Sequence, residues 1–213
     1  MSSGPATPTS EQIQAFAPME WAQPYLTSSN WVARERWRGG SIATDIFCHS
    51  TMRANNGVMQ WLEVYPKTPT GGKIMKTASF IKFGEGVNGF PGICHGGATM
   101  SFMDEGLAYA MVANEFMEMD DHGGLAHQHA ERWEAIRKGT PLIEVLKGLF
   151  VTATMDIQFL GPVVVPGMVG IETEVLELKE HKIKIRGVMR DVTGRPVMQA
   201  DGLWVKIGGA AKL

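Results

Sequence analysis

One stretch of the chain places a histidine, two glycines and an acidic pair at spacings that suit chemistry on a carbonyl group. His95-Gly-Gly follows a Pro-Gly turn, and Asp104 and Glu105 are the only charged residues in the apolar run that comes next. That run predicts a helix that is buried on nearly every face. A buried carboxylate costs several kcal/mol unless it is paired, protonated or used, so Asp104 is a candidate catalytic residue.

The start of the same helix also suits chemistry on a carbonyl group. Such a reaction needs a group that polarises the carbonyl, and the free N–H groups at the start of a buried helix suit a developing oxyanion. Gly96 and Asp104 are eight residues apart, which is roughly 12 Å along a helix axis. One carbonyl cannot easily reach both groups on one helix. The spacing therefore predicts a dimer in which Gly96 of one subunit faces Asp104 of the other.

These residues resemble the signature of hotdog-fold acyl-thioesterases, in particular the phenylacetyl-CoA type and the mammalian "thioesterase superfamily member" type. The resemblance rests on His-Gly-Gly, on the Asp nine positions after the His, on the Gly-Leu-Ala-Tyr-Ala that follows, and on residues 152–162. It covers about residues 55–207. It implies an acyl-CoA or acyl-carrier substrate, a homodimer or dimer of dimers, and neither a metal nor another cofactor.

The resemblance also implies roles for individual residues. The Gly96 amide is the oxyanion donor, His95 orients the turn or contacts the thioester, and Asp104 is the nucleophile or general base. Thr152 matches a threonine that holds the attacking water in the mammalian-type members. Three more residues are expected to contact the substrate: Gly97, Phe102 and Met103.

Three assignments remain open at this point. Strand alternation puts Thr152 opposite the apolar residues of its own strand, on the solvent face, unless a bulge turns it inward. Glu105 lies about 100° around the helix from Asp104, which predicts a surface or interface group. Cys94, next to His95, is a weaker hypothesis for a thiolate nucleophile, since adjacent side chains often point apart.

Hydrophobic periodicity predicts the elements that position these residues. The predicted helix runs from about Gly96 to Met117, after two strands and before four more. The six predicted strands are 58–65, 73–83, 150–159, 168–180, 182–191 and 196–207. This order predicts an α+β hotdog fold, in which an antiparallel sheet of about six strands wraps around one long central helix.

The remaining segments predict the domain organisation. Residues 1–30 are expected to be a flexible N-terminal extension with a short helix, and residues 31–213 a single hotdog domain. A helical insertion at about 118–149 follows the central helix, and its length suits a lid or a pocket wall. Five of its acidic and histidine side chains are candidate metal ligands, but they lack a clear convergent set, so no metal site is predicted. These are Asp120, Asp121, His122, His127 and His129.

Composition excludes several classes of function. A net charge of −2 without a basic cluster argues against nucleic-acid binding. Two cysteines do not make a disulfide framework, which favours a reducing compartment. No apolar run approaches the roughly 18 residues of a membrane span, and no signal or transit peptide is evident. A cytoplasmic enzyme is the expectation.

Two other functions compete with thioester hydrolysis. The first is a dehydratase, hydratase or decarboxylase of the same fold acting on a β-keto or hydroxyacyl thioester. Hotdog dehydratases use a His-Phe-Pro arrangement, and the Phe-Pro at 90–91 lacks the preceding histidine. The second is a non-catalytic acyl-binding protein, which has no need of a buried carboxylate at Asp104.

Overall fold

The fold is known from a computed structural model that describes residues 6–36, 45–69, 72–118 and 131–208. The helices are α1 (Ser10–Gln14), α2 (Gln23–Thr27), α3 (Ile46–His49), α4 (Gly96–Glu118), α5 (131–137) and α6 (Leu142–Val145). The strands are β1 (Trp31–Glu35), β2 (Val58–Pro66), β3 (Lys76–Phe83), β4 (Asn88–Phe90), β5 (Ile93–Cys94), β6 (Phe150–Phe159), β7 (Gly167–Lys179), β8 (Lys182–Arg190) and β9 (Pro196–Lys206).

The predicted hotdog fold is confirmed. Seven strands form one antiparallel sheet in the order β1-β2-β3-β7-β8-β9-β6, and the long helix α4 packs against β3, β7, β8 and β9. All six predicted strands form, with bounds within three residues of those expected. The sheet has seven strands rather than about six because β1 adds to its edge beside β2. The strands β4 and β5 form a separate small ribbon before α4.

Two glycines allow α4 to lie close to the sheet. A Cβ on Gly106 of the helix would come within 3.0 Å of the Ile171 side chain of β7. A Cβ on Gly187 of β8 would lie 2.7 Å from the Leu107 side chain of the helix. The absence of a side chain at both positions brings the two backbones together. This contact fixes which face of α4 is turned to the sheet.

The N-terminal segment covers the other face of the sheet at the β2–β3 end. Phe16, Met19 and Ala22 are completely buried there against β2 and β3. This contact explains why β3 is buried along almost its whole length, as expected of a strand covered on both faces. Helix α1 begins at Ser10, capped by Thr9 in a capping box with Gln12. The division of the chain at residue 30 stays a prediction.

The insertion after α4 is described only in part. Residues 131–137 are helical, and α6 follows as a single turn. The acidic and histidine side chains considered for a metal, Asp120 to His129, lie outside the described residues. Within the described ranges, no helix is long and apolar enough to cross a membrane.

Truncating Phe16 tests whether the N-terminal segment is an integral part of the fold. We expect Phe16→Ala to lower the free energy of unfolding by about 3–5 kcal/mol, because a completely buried aromatic ring is lost. The matched control is Phe47→Ala, whose ring is 52% exposed and whose loss should cost about 0.5 kcal/mol or less. Urea unfolding of both variants measures the difference. Equal stabilities would show that the segment packs only loosely on the sheet.

Candidate active site

His95 caps the N-terminus of α4 with its own side chain. Its Nδ1 accepts a hydrogen bond from the Gly97 N–H at 3.0 Å, and its carbonyl oxygen accepts one from the Thr99 N–H at 3.0 Å. A proton on the neutral ring therefore sits on Nε2. A Cβ on Gly97 would lie 3.0 Å from His95 Nδ1, so glycine leaves room for the imidazole to fold back. These two hydrogen bonds hold the first turn of α4 beside His95, and the role of His95 in the reaction stays a prediction.

The amide of Gly96 is the first N–H of α4. Gly96 is exposed, and its N–H finds no acceptor among the described residues. The first N–H groups of a helix have no partner inside the helix and lie at the positive end of its dipole. This amide is therefore available to an incoming oxygen atom.

A β-bulge brings Thr152 to the helix. In the β6–β9 pairing, Thr152 lies opposite Trp204 and Thr154 lies opposite Leu203, so Ala153 is an extra residue. Because paired residues share a face of the sheet, Thr152 lies on the α4 side with Trp204 and Thr154 on the other side, although Thr152 itself stays exposed at the sheet edge. The Thr152 hydroxyl donates a hydrogen bond to Asp104 Oδ1 at 3.0 Å. Two candidate residues 48 positions apart thus meet at the seam between α4 and β6.

Large apolar side chains are exposed around the start of α4. Phe90 is 74% exposed, Val164 is 64% exposed, and Phe159 at the end of β6 is 54% exposed. The Phe159 ring lies 3.7 Å from where a Cβ on Gly96 would sit. Strand β6 is also the last strand of the sheet that the described residues form. Such a patch beside an open sheet edge is typical of an interaction surface.

Glu105 is partly buried and pairs within its own chain, so its prediction as a surface group is wrong, while its prediction as an interface group stays a prediction. Its side chain is only 20% exposed and forms an ion pair with Arg36, whose own side chain is 4% exposed. Arg36 Nη1 also donates to Glu63 Oε1 at 2.7 Å, and the guanidinium lies 4.3 Å from the centre of the Trp61 ring. Burial acts to lower the pKa of Arg36, but the carboxylates of Glu63 and Glu105 outweigh it, and the net shift is upward.

One group of residues in the described part of the chain has the composition of a metal site. Ligand atoms of Asp45, Cys48 and Glu105 all lie within 4.8 Å of one another. Arg36 already supplies a positive charge to this group, since its Nη2 binds Glu105 and lies 3.8 Å from Asp45 Oδ2. The geometry is accordingly that of an ion-pair network under the middle of α4.

The other candidates lie in the interior. Phe102 and Met103, expected to contact substrate, are completely buried, and the Phe102 ring packs on Trp61 and Phe83. The structure does not bring them to the Thr152 side of α4, and their role in substrate binding stays a prediction. The Cys94 thiol is buried, and burial raises its pKa. A thiol with a raised pKa is a poor nucleophile, so this hypothesis is disfavoured.

Sequence reasoning missed the Arg36 network entirely. The signals in the sequence were Glu105 in an apolar helical run and Glu63, the one charged residue of the strand 58–65. Nothing in the sequence connects Arg36 with Glu105, 69 positions away.

Replacing Arg36 tests how much this ion-pair network stabilises the fold. We expect Arg36→Met to lower the free energy of unfolding by about 3–5 kcal/mol, since it removes the cation from two buried ion pairs. Arg186→Met is the matched control, because Arg186 pairs with Asp201 on the solvent-exposed face of the sheet, where an ion pair contributes little. Chemical unfolding measures both. A stability of Arg36→Met equal to that of the control would contradict a structural role for Arg36.

Comparison with known proteins shows which sequences this chain is similar to. The sequence profile of the thioesterase superfamily matches residues 91–198, slightly more than half of the chain. Verlamelin biosynthesis protein B of a Lecanicillium species is 23% identical over 162 residues, which is 75% of this chain and 64% of that protein. The chain thus spans less than two thirds of the length of that relative.

Two solved structures are distantly similar. The Escherichia coli PaaI protein from the phenylacetic acid degradation operon is 15% identical, with a TM-score of 0.43, and the match covers 63% of this chain and 74% of that one. Zebrafish thioesterase superfamily member 2 is 15% identical, with a TM-score of 0.44, covering 65% and 78%. Neither likeness is strong enough to carry an argument, and the assignment rests on the matched residues, which include His95, Asp104 and Thr152. The chain belongs to the thioesterase superfamily.

Proposed function

We propose that this protein hydrolyses an acyl thioester, carried by coenzyme A or by a carrier protein, to a free acid and a thiol. Membership of the thioesterase superfamily supports hydrolysis of this type. The observation that carries the proposal is the hydrogen bond between Thr152 and Asp104. It joins a helix carboxylate and a strand hydroxyl at a partly exposed seam, where a substrate has access to both.

In this proposal Asp104 is a general base. Thr152 donates its proton to Oδ1 of the carboxylate, and the threonine oxygen keeps lone pairs that accept a hydrogen bond from a water molecule. Asp104 removes a proton from that water as its oxygen attacks the thioester carbonyl. The C–S bond then breaks, and the departing thiolate takes up the proton. The alternative is direct attack by Asp104, which expels the thiolate and forms an acyl anhydride; water attack on the aspartyl carbonyl of that anhydride would leave solvent oxygen in the carboxylate after a single turnover.

The proposed oxyanion donor is the Gly96 amide of a second subunit. Gly96 and Asp104 are eight residues apart on one continuous helix, which is roughly 12 Å along its axis. The exposed apolar side chains around Gly96 and the open edge of β6 support burial of this region against a second copy. We therefore propose a homodimer, or a dimer of dimers, with sites shared between subunits.

The role of the carboxylate is tested by substitutions on both sides of the seam. We expect Asp104→Asn to reduce kcat by about 10²–10⁴-fold, since the general base is lost, and Thr152→Val to reduce it by a smaller factor. Two exposed residues of β6 that face outward give the matched controls, Asp156→Asn and Thr154→Val. Release of free thiol from acyl-CoAs of varied chain length measures the rates.

Other outcomes of this assay would favour the competing functions. Full activity in Asp104→Asn would contradict general-base catalysis by this residue. A folded wild-type protein that releases no thiol from CoA or carrier thioesters would contradict hydrolysis altogether. A lyase would then be recognised by a change in the acyl chain without thiol release, and a binding protein by saturable binding without turnover.

The oxyanion donor and the shared site are tested together. Gly96→Pro removes the N–H while keeping helical backbone angles, because proline is favoured at the first helical position. We expect kcat to fall about 10²–10³-fold. Gly96→Ala keeps the N–H and has room for its Cβ, so its kcat should fall far less.

Mixing the two inactive proteins then locates the site. Equal amounts of Asp104→Asn and Gly96→Pro that exchange subunits in solution should regain roughly one quarter of wild-type activity. About half of the dimers are then mixed, and each mixed dimer has one of its two shared sites intact. No recovery, despite subunit exchange detected by mass spectrometry, would place both groups of one site in the same subunit.

A further inference from the structure

A cleft lies beside the C-terminal half of α4, away from the start of the helix. It has a volume of about 130 Å³, close to the roughly 150 Å³ of an apolar cavity known to hold a benzene molecule. Six apolar residues from four elements line most of it: Ala110, Met111, Phe150, Val175, Leu178 and Ile183. Leu178 is 40% exposed, so the cleft opens to solvent. Its chemistry suits a hydrocarbon group.

The cleft continues the line of Asp104 along the helix. Asp104, Ala108 and Met111 follow one another at spacings of four and three, which places them on one side of α4. All three are partly exposed, unlike their completely buried neighbours Leu107 and Ala110. Ala108, which lies between Asp104 and Met111 on this side, has a small side chain.

Strand β6 contacts this side of α4. Phe150 lies two residues before Thr152 and before the bulge, so both side chains are on the face that is turned to α4. Phe150 lines the cleft, and Thr152 binds Asp104. The bulge at Ala153 therefore positions the Thr152 hydroxyl and one wall of the cleft together.

The far end of the cleft is fixed by hydrogen bonds. The Asn114 side chain accepts a hydrogen bond from the Ile74 N–H and donates one to the Ile74 carbonyl, each at 2.9 Å. These bonds tie the segment before β3 to the helix. Asn114 and Lys73 are the two polar residues of the lining, so the hydrocarbon part of the cleft ends here.

We infer that this cleft binds the tail of an unbranched acyl chain of about eight to twelve carbons, since an extended chain advances roughly 1.2 Å per bond. Met111 and Asn114 lie seven and ten residues beyond Asp104, or roughly 10 and 15 Å along the axis. An aryl group attached directly to the thioester is too short to reach Met111. The inference rests on the proposed hydrolysis at Asp104 and adds its substrate class.

Filling the cleft tests the inference. The probes are butyryl-, hexanoyl-, decanoyl- and palmitoyl-CoA, and the quantity is kcat/KM for decanoyl-CoA relative to butyryl-CoA. We expect Met111→Trp to lower this ratio roughly 100-fold, because displacing about three to four methylenes of the chain costs about fourfold in binding for each. We expect Leu178→Ala, which widens the mouth, to shift the optimum to longer chains.

Two control variants lie outside the cleft. Met59→Trp places the same bulky ring at an exposed position of β2, and Leu176→Ala truncates an exposed leucine of β7 that is not part of the lining. Both should keep the wild-type ratio. A ratio unchanged in Met111→Trp, with hydrolysis intact, would overturn the inference and leave the proposed function standing.

A binding measurement separates failure of the inference from failure of the proposed function. S-decyl-CoA is a thioether and cannot be hydrolysed, and calorimetry gives its Kd relative to that of S-butyl-CoA. Tighter binding of the decyl compound, lost in Met111→Trp and kept in Met59→Trp, would support the cleft even if no thioester were hydrolysed. Equal Kd values for both thioethers would overturn it.

Discussion

The helix α4 has apolar residues on nearly every face, and the rest of the fold provides the cover that such a helix requires. The sheet packs around it, and glycines at 106 and 187 leave space at the interface that a Cβ would fill. The hydrophobic effect stabilises this packing roughly in proportion to the apolar area that is buried. It also makes every charged atom on α4 costly, unless that atom finds a partner or reaches solvent.

The two acidic residues of α4 meet this requirement in different ways. Glu105 is held by Arg36 in an ion-pair network that also includes Glu63 and packs on Trp61. Asp104, one residue earlier, lies at the seam with β6 and is bound by the Thr152 hydroxyl. The Thr152 hydroxyl gives Asp104 a hydrogen bond, whereas the guanidinium of Arg36 gives Glu105 an ion pair within the chain.

The N-terminal residues, which lie before the matched family segment, help to pack the sheet and to pair the charge of Glu105 on α4. Residues 10–27 cover the outer face of β2 and β3 and bury Phe16 against them. The chain then continues through β1, after which Arg36 lies on the opposite face of the sheet, next to α4. One stretch of sequence therefore closes the sheet from outside and neutralises a carboxylate of the helix inside. This gives a physical reason for an N-terminal extension in a fold whose motif begins near residue 91.

The sequence by itself determined the helix, six of the seven sheet strands and the residues at the start of α4. These features depend on local periodicity and turn chemistry, which short segments carry. Only the tertiary structure decided the face on which Thr152 lies, because one extra residue at Ala153 reverses the alternation, and the bulge exists only in the pairing with β9. It also decided that Glu105 is partly buried and paired within the chain, since its partner Arg36 is 69 positions away. The apolar cleft depends in the same way on distant segments, because its walls come from α4, β6, β7 and β8 and form only when those elements pack together.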